Sequence, residues 1–404
     1  MKNINFQCRR RLSAFCISLF LTTTLSADDG NGITVTQTAN LRTGKSSLIN
    51  QMTSFINPPF VYFFTEDEWN PEKRELKVLS INTETSKKDS FVLKIPDEIT
   101  INDLPEITFN DDYLILCDDQ HFDLYRFKKV NNEFVFTNKI NLPANSVGNN
   151  IKQLKNNLFL LYSIYNRHPA DEKLNTSIIT YDIKNDTILK IIHPDLPCVA
   201  FCHLEKSWVD INDKLIAVAN PCGYKITLYD FELNVVDLIK PVRKKDWKDI
   251  QNNILPFETN LSKVNPKTVI DNLLLMQDTI SRIEKIFFIN RSNLLVSWTG
   301  IGCLKNKRKI DVWKIKNKVN STNSGILTSI NYADSDTINL KNVPVSLNDR
   351  SNIKIENNIV YTINDEDFIP EQNMTVKEFN HLKDLYYEKY DPQFTIGVYK
   401  IILP

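Results

Sequence analysis

Four side chains near the middle of the chain could hold a metal or form a covalent link. Cys198, Cys202 and His203 lie in the run Pro197-Cys198-Val199-Ala200-Phe201-Cys202-His203, and Cys222 follows in a turn. Four nitrogen and sulfur donors suit a tetrahedral zinc site. Against zinc, Cys202 and His203 are adjacent, and neighbouring side chains of a strand point to opposite faces. The spacing C-x3-C-H is one residue longer than the covalent haem motif, and no axial methionine stands near it. A straight strand would hold Cys198 and Cys202 about 13 Å apart, too far for a sulfur–sulfur bond. The expectation is a disulfide from Cys222 to Cys202 or to Cys198, with no metal ligand and no cofactor assigned.

A second group sits in the loop Tyr165-Asn166-Arg167-His168-Pro169-Ala170-Asp171-Glu172, which offers cations, carboxylates and an aromatic ring between two strands. A solvated hairpin is its plainer reading. Trp208 opens a strand and Trp247 lies in a long insertion, so either could border a pocket, whereas Trp298 and Trp313 fall inside strands and read as core. Arg167, His168 and Trp208 are therefore the ligand-binding candidates, and no residue is assigned a catalytic role. The five histidines are widely separated, with no H-x-H or H-E-x-x-H among them. The chain has no G-x-S-x-G elbow, no P-loop and no dinucleotide fingerprint. Asp118-Asp119 and Glu66-Asp67-Glu68 read as turns, and no acidic run has the spacing of a calcium loop.

The N-terminus carries an export pattern. Lys2 and Arg9-Arg10-Arg11 form a basic region, Leu12–Leu21 a short apolar one, and Thr22–Ala27 a small polar one, which predicts a signal peptide over 1–27. The apolar run is well short of the ~20 residues that span a bilayer, and no later stretch is long enough, so no transmembrane segment is expected. The whole chain is neutral. Cleavage would remove four of the 49 basic side chains and leave the 49 acidic ones, making the mature protein slightly acidic. A nucleic-acid surface wants a basic footprint, so nucleic acid is not an expected partner. Export to a secreted or periplasmic location puts Cys117, Cys198, Cys202, Cys222 and Cys303 where disulfides form; their odd number leaves one without an internal partner.

These candidates need a framework, and 404 residues suffice for one large all-β domain. The clearest stretch runs from Ser207 to Val236. It reads as strands over Ser207–Ile211, Lys214–Ala219 and Tyr224–Asp230, with a fourth starting near Val235. Asn212-Asp213 and Asn220-Pro221-Cys222-Gly223 supply the turns. The same grammar recurs. A polar turn precedes an apolar strand at Asp111-Asp112, Asn156-Asn157, Asn212-Asp213, Asn293 and Asn357-Asn358. A second strand then ends in an aromatic phrase, Leu124-Tyr125-Arg126-Phe127, Thr180-Tyr181-Asp182, Leu228-Tyr229-Asp230 and Val312-Trp313-Lys314. With a first unit over Phe60–Ile95 the units number six. A unit of this kind cannot bury both faces of its own sheet, but radial stacking can, which points to an all-β β-propeller of six four-stranded blades. A two-sheet sandwich is the rival, and it does not explain the repeated order. Spacings beyond the ~40–50 residues of a compact blade call for insertions.

The domain is expected over 59–404, behind a leader at 28–58 whose Ile33-Thr34-Val35-Thr36 segment could complete the last blade. A helical insertion is expected near 243–282, where Val269, Leu273, Met276 and Ile280 fall at helical spacing after Asn265-Pro266. A second helical pattern covers Val376–Tyr387. The run Trp208-Val209-Asp210, Lys214–Asn220 and Lys225–Asp230 resembles one blade of six-bladed propellers of the NHL or TolB-like kind. That resemblance implies a fold whose members include ligand-binding and interaction modules as well as lyases. The expected function is an exported binding module for a protein, peptide or saccharide. The alternative is a lyase or hydrolase acting on an extracytoplasmic saccharide or peptide at the central funnel.

Overall fold

The computed structural model describes twenty-five strands, the turns and short connections that join them, and scattered positions in the longer connections. Residues 1–33, 43–52, 168–173, 195–207, 251–263, 272–280, 300–307, 316–328, 332–351 and 366–393 are among those outside the described residues.

In chain order, β1 (Thr34–Arg42) stands alone before the first unit. That unit comprises β2 (Thr53–Asn57), β3 (Phe60–Phe64), the two-residue β4 (Trp69–Asn70), β5 (Glu75–Asn82) and β6 (Lys88–Lys94). The second holds β7 (Glu106–Phe109), β8 (Tyr113–Asp118), β9 (Asp123–Val130) and β10 (Glu133–Ile140). The third holds β11 (Asn150–Lys155), β12 (Leu158–Arg167), β13 (Leu174–Asp182) and β14 (Thr187–Ile192). The fourth holds β15 (Val209–Ile211), β16 (Ile216–Asn220), β17 (Lys225–Tyr229) and β18 (Val235–Ile239). The fifth holds β19 (Arg282–Asn290), β20 (Asn293–Thr299), β21 (Arg308–Lys314) and β22 (Ser329–Asn331). The sixth is β23 (Asn352–Glu356), β24 (Ile359–Asp365) and β25 (Phe394–Ile402), completed on its outer side by β1.

Within each unit the neighbouring strands are antiparallel. One parallel pairing, Phe134 with Leu93, joins the outer strands of the first two units into a continuous sheet. The first strands of successive units touch in order: β2 with β7, β7 with β11, β15 with β19, β19 with β23, and β23 back to β2. Lys152 supplies the remaining step, donating from β11 to the Val209 carbonyl on β15. Sheets arranged round an axis with their first strands innermost make a β-propeller, and the described residues are all-β apart from a short helical stretch.

The elements follow from local chemistry. All five residues of β16 are buried, as a strand covered on both faces requires, and Asn212 and Asn220 punctuate it. The Asn212 side-chain oxygen accepts the Lys214 and Leu215 N–H groups at 2.9 and 2.8 Å. Asn110 does the same for Asp112 and Tyr113, and Asp182 for Lys184 and Asn185. These are Asx turns, in which a short polar side chain mimics a backbone turn. The aromatic phrase has a structural counterpart. A one-residue bulge in the fourth strand falls opposite it at Thr137, Leu189 and Val236 in the second, third and fourth units. Between sheets the apolar faces merge; Leu160, Trp208, Ile226, Ile286 and Trp298 belong to one core running through the third to fifth units.

The first unit begins earlier than the sequence suggests. Pro58-Pro59 reads as the end of a leader, yet it is the two-residue turn between β2 and β3, whose register pairs Asn57 with Phe60. A turn needs no ladder N–H from either proline. The leader segment 28–58 therefore contains two strands of the ring. In the expected insertion, residues 266–268 and 271 are helical, with the Lys267 N–H capped by Asn265 Oδ1 at 2.9 Å, and β19 follows from Arg282. The pattern over Val376–Tyr387 lies outside the described residues.

Innermost strands expose an unpaired backbone edge toward the axis, a liability in any sheet. Here side chains of one unit satisfy the next. Thr108 Oγ1 donates to the Ile151 carbonyl at 3.4 Å, and Lys152 Nζ to the Val209 carbonyl at 2.7 Å. Asp210, only 3% exposed, takes Lys152 on Oδ1 at 3.0 Å and the Phe288 N–H on Oδ2 at 2.7 Å. One carboxylate thus ties three units. Asp210→Ala would strand a partly buried ammonium and a buried amide, so we expect a loss of ~3–5 kcal/mol, read from the urea midpoint. Asp210→Asn, which keeps an acceptor, should lose less.

Candidate functional site

Strand alternation fixes two different faces. The turns between first and second strands, and between third and fourth, lie on one side. The loops between second and third strands, and the connections from one unit to the next, lie on the other. On the first side the described turns are short and their side chains are used within the fold. Asn110 Nδ2 donates to the Asn156 carbonyl at 2.5 Å, Asn212 Nδ2 to the Arg291 carbonyl at 3.5 Å, and Asn290 Nδ2 to Asn358 Oδ1 at 2.8 Å. Each joins a turn to its neighbour in the next unit. Asn131, Asn156, Asn357 and Asn358 have positive φ, a conformation asparagine tolerates better than most residues.

By strand order the second side receives most of the long connections, 65–74, 168–173, 300–307 and 366–393 within units and 193–208, 240–281 and 332–351 between them, whereas 315–328, between β21 and β22, belongs to the first side. The second side is the functional candidate. Arg74 organises one sector. Its guanidinium donates to the carbonyls of Ile95 at 3.2 Å, Pro96 at 2.7 Å and Ile99, with Asp97 as a 3.2 Å ion-pair partner.

The sequence-derived candidates divide. Arg167 ends β12 and pairs in register with Leu174, so its backbone reaches this face; His168 lies outside the described residues. Trp208 is buried, and its indole N–H donates to the Ile283 carbonyl at 3.1 Å, so the ring locks the fourth unit to the innermost strand of the fifth. Burial of an indole demands such an acceptor, and β19 provides it. Cys222 is buried in the turn after β16, its N–H held by Asn220 Oδ1 at 3.0 Å. Cys198, Cys202 and His203 lie outside the described residues.

Sequence reasoning missed an aromatic and acidic cluster between the fourth and fifth units. The Tyr224 hydroxyl donates to Asp311 Oδ2 and accepts the Trp313 indole N–H at 3.0 Å. Burial and the Asp311 charge push the Tyr224 phenol well above its ordinary range, so it remains a donor. Trp247, from the insertion, lies edge-on to Tyr224 at 5.1 Å between ring centroids and tilted against Trp298 at 5.6 Å. Trp247 is half-buried where Trp298 and Trp313 are buried, so it is the ring of this cluster with surface to offer. The pairing of Tyr224 with Asp311 spans 87 residues, and nothing local signals it.

His193 lies 3.4 Å from Ser177 Oγ and 3.1 Å from the Thr176 carbonyl through the same Nδ1. A carbonyl only accepts, so Nδ1 carries the proton and cannot serve as a base toward the buried serine. Among the described residues no three His, Cys, Asp or Glu side chains converge as a metal site, and no helix is long and apolar enough to cross a membrane.

No family model and no curated protein matches the sequence. Among solved structures, a DUF4221 family member from Bacteroides vulgatus is 9% identical, with a TM-score of 0.48 over 93% of this chain and 100% of that one. A protein from Bacteroides fragilis is also 9% identical, at 0.48 over 97% of both chains. The WD40 domain of Toxoplasma gondii coronin is 8% identical, at 0.40 over 93% of this chain and 87% of that one.

Removing the Tyr224 hydroxyl tests the cluster. Tyr224→Phe leaves the rings in place but takes a donor from a buried carboxylate, and should lower stability by ~1–3 kcal/mol in chemical denaturation. An unchanged midpoint would mean that water replaces the hydroxyl.

Proposed function

We propose that this protein is an exported six-bladed β-propeller, of the NHL or TolB-like kind, that binds a saccharide or peptide on the face carrying most of its long connections. The observation that carries the reading is the inequality of the two faces. On one, the described Asx turns are bonded from unit to unit; the other carries Arg167, the half-buried Trp247 and most of the long connections. Loops displayed on a rigid framework are where binding residues concentrate. A flat indole resting on other rings suits the apolar face of a sugar or a peptide side chain.

The export half of the reading rests on Lys2, Arg9-Arg10-Arg11 and the apolar run ending at Leu21. In that setting Cys222 pairs with Cys202 or Cys198. Mass spectrometry of the secreted protein should find an N-terminus at Asp28 and a peptide crosslinked through Cys222.

The binding half is tested by screening the mature protein on glycan and peptide arrays and measuring each hit by calorimetry. Arg167→Ala or Trp247→Ala should weaken the hit at least tenfold, while Lys155→Ala, on the short-turn side, should leave it unchanged. The opposite pattern would move the site to the other face. A hit released in cleaved form would replace the module with the lyase or hydrolase.

A further inference from the structure

The turn joining β16 to β17 lies on the side that receives most of the long connections. It runs from Asn220, the last residue of β16, to Tyr224, just before β17. Asn220 is 3% exposed. Its Oδ1 accepts the Cys222 N–H at 3.0 Å, and because a backbone N–H only donates, that bond fixes which end of the amide is oxygen. Nδ2 holds two N–H groups at the other end, and nothing among the described residues accepts from it. A buried donor without an acceptor costs the fold free energy, so its acceptor is to be sought outside the chain.

Gly223 keeps the space beside that donor open. A Cβ there would stand 3.2 Å from Asn220 Nδ2 and 3.3 Å from its Cγ. The next residue, Tyr224, has a φ of 35°, which a bulky side chain rarely adopts and which strained binding sites collect. Asp311 and Trp313 hold the Tyr224 hydroxyl, and Trp247 packs edge-on against its ring at 5.1 Å. An amide donor and a half-buried indole are therefore held to the two ends of one turn.

We propose that this turn binds a saccharide. A pyranose ring lays its C–H face on Trp247, and a hydroxyl or acetamido oxygen at its rim accepts from Asn220 Nδ2. The proposal rests on the reading of this face as the binding face, and it chooses the saccharide over the peptide. A sugar ring has an apolar face edged by acceptors, which suits a flat indole beside an amide. A peptide recognised through its backbone wants an open strand edge, and β16 and β17 are each paired on both sides.

The test starts from arrays of oligosaccharides and of tripeptides probed with the mature full-length protein. The tightest saccharide is then measured by calorimetry beside its monodeoxy derivatives. At least one derivative should bind tenfold or more weakly than the parent sugar, because it leaves a buried donor unpaired. Asn220→Asp keeps an acceptor for the Cys222 N–H and loses the donor. It should weaken the parent sugar at least tenfold and cancel the penalty for that derivative, whereas a residue that only shaped the turn would weaken both alike. Gly223→Ala sets a methyl group against Nδ2 and should shrink the same penalty, which decides the matter if Asn220→Asp fails to fold. No saccharide hit, no tenfold deoxy penalty, or a penalty unchanged in the folded variants would overturn the proposal. A tripeptide hit that depends on Trp247, with no saccharide hit, overturns this choice and leaves the binding reading standing; two empty arrays overturn both.

Discussion

The inner edge of the ring is the constraint on which this structure turns. A propeller buries the faces of its sheets against one another, but each sheet still presents one bare edge to the axis. The Asp210 carboxylate meets that need from both sides, receiving the ammonium of the unit before it and the backbone N–H of the unit after it. Apolar packing, through Ile226, Ile286 and Trp298 among others, supplies most of the cohesion but is indifferent to register. Hydrogen bonds from named side chains to named backbone groups fix how far one unit is rotated against the next. Trp208, through the Ile283 carbonyl, makes the same kind of link nearer the start of β19.

The outer edges are handled differently. Asp237 accepts the N–H of the next residue, Leu238, on its own side chain at 2.8 Å, and Asp89 does the same for Ser90. Both stand in outer strands. Together with the bulge at Val236, this breaks the regular row of donors on which another strand could template. It matters most for β18, whose Val235, Val236 and Leu238 are exposed and would otherwise make an adhesive edge.

What could be read from the sequence was what is local. Asn212 announces its turn because its own side chain makes the bonds, and β16 announces itself because an unbroken apolar run between two turn signals has few other readings. The aromatic phrases were visible as a repeat, and their bulges follow the same spacing. The ties that fix the ring were invisible for a physical reason. Lys152 and Asp210 lie 58 residues apart and Asp210 and Phe288 lie 78 apart, and a charge in a short strand resembles any solvent-facing residue until its partner is known. The site suffered likewise: the acceptor of the Trp208 indole, Ile283, belongs to another unit, and so do the partners Tyr224 and Asp311 to each other. β2 was hidden by prolines that commonly end strands and here turn them.

The sheet shared by β1 and β25 has a consequence for the order of events. Thr34 to Arg42 pairs with Thr395 to Ile402, so this sheet joins segments separated by most of the chain. Closing so long a loop is entropically slow and must wait until the later segment has been synthesised. Until then β24 has an open side, and the earlier units form an arc with a gap in it. β25, which pairs with β1 on one side and β24 on the other, is the strand that locks the ring.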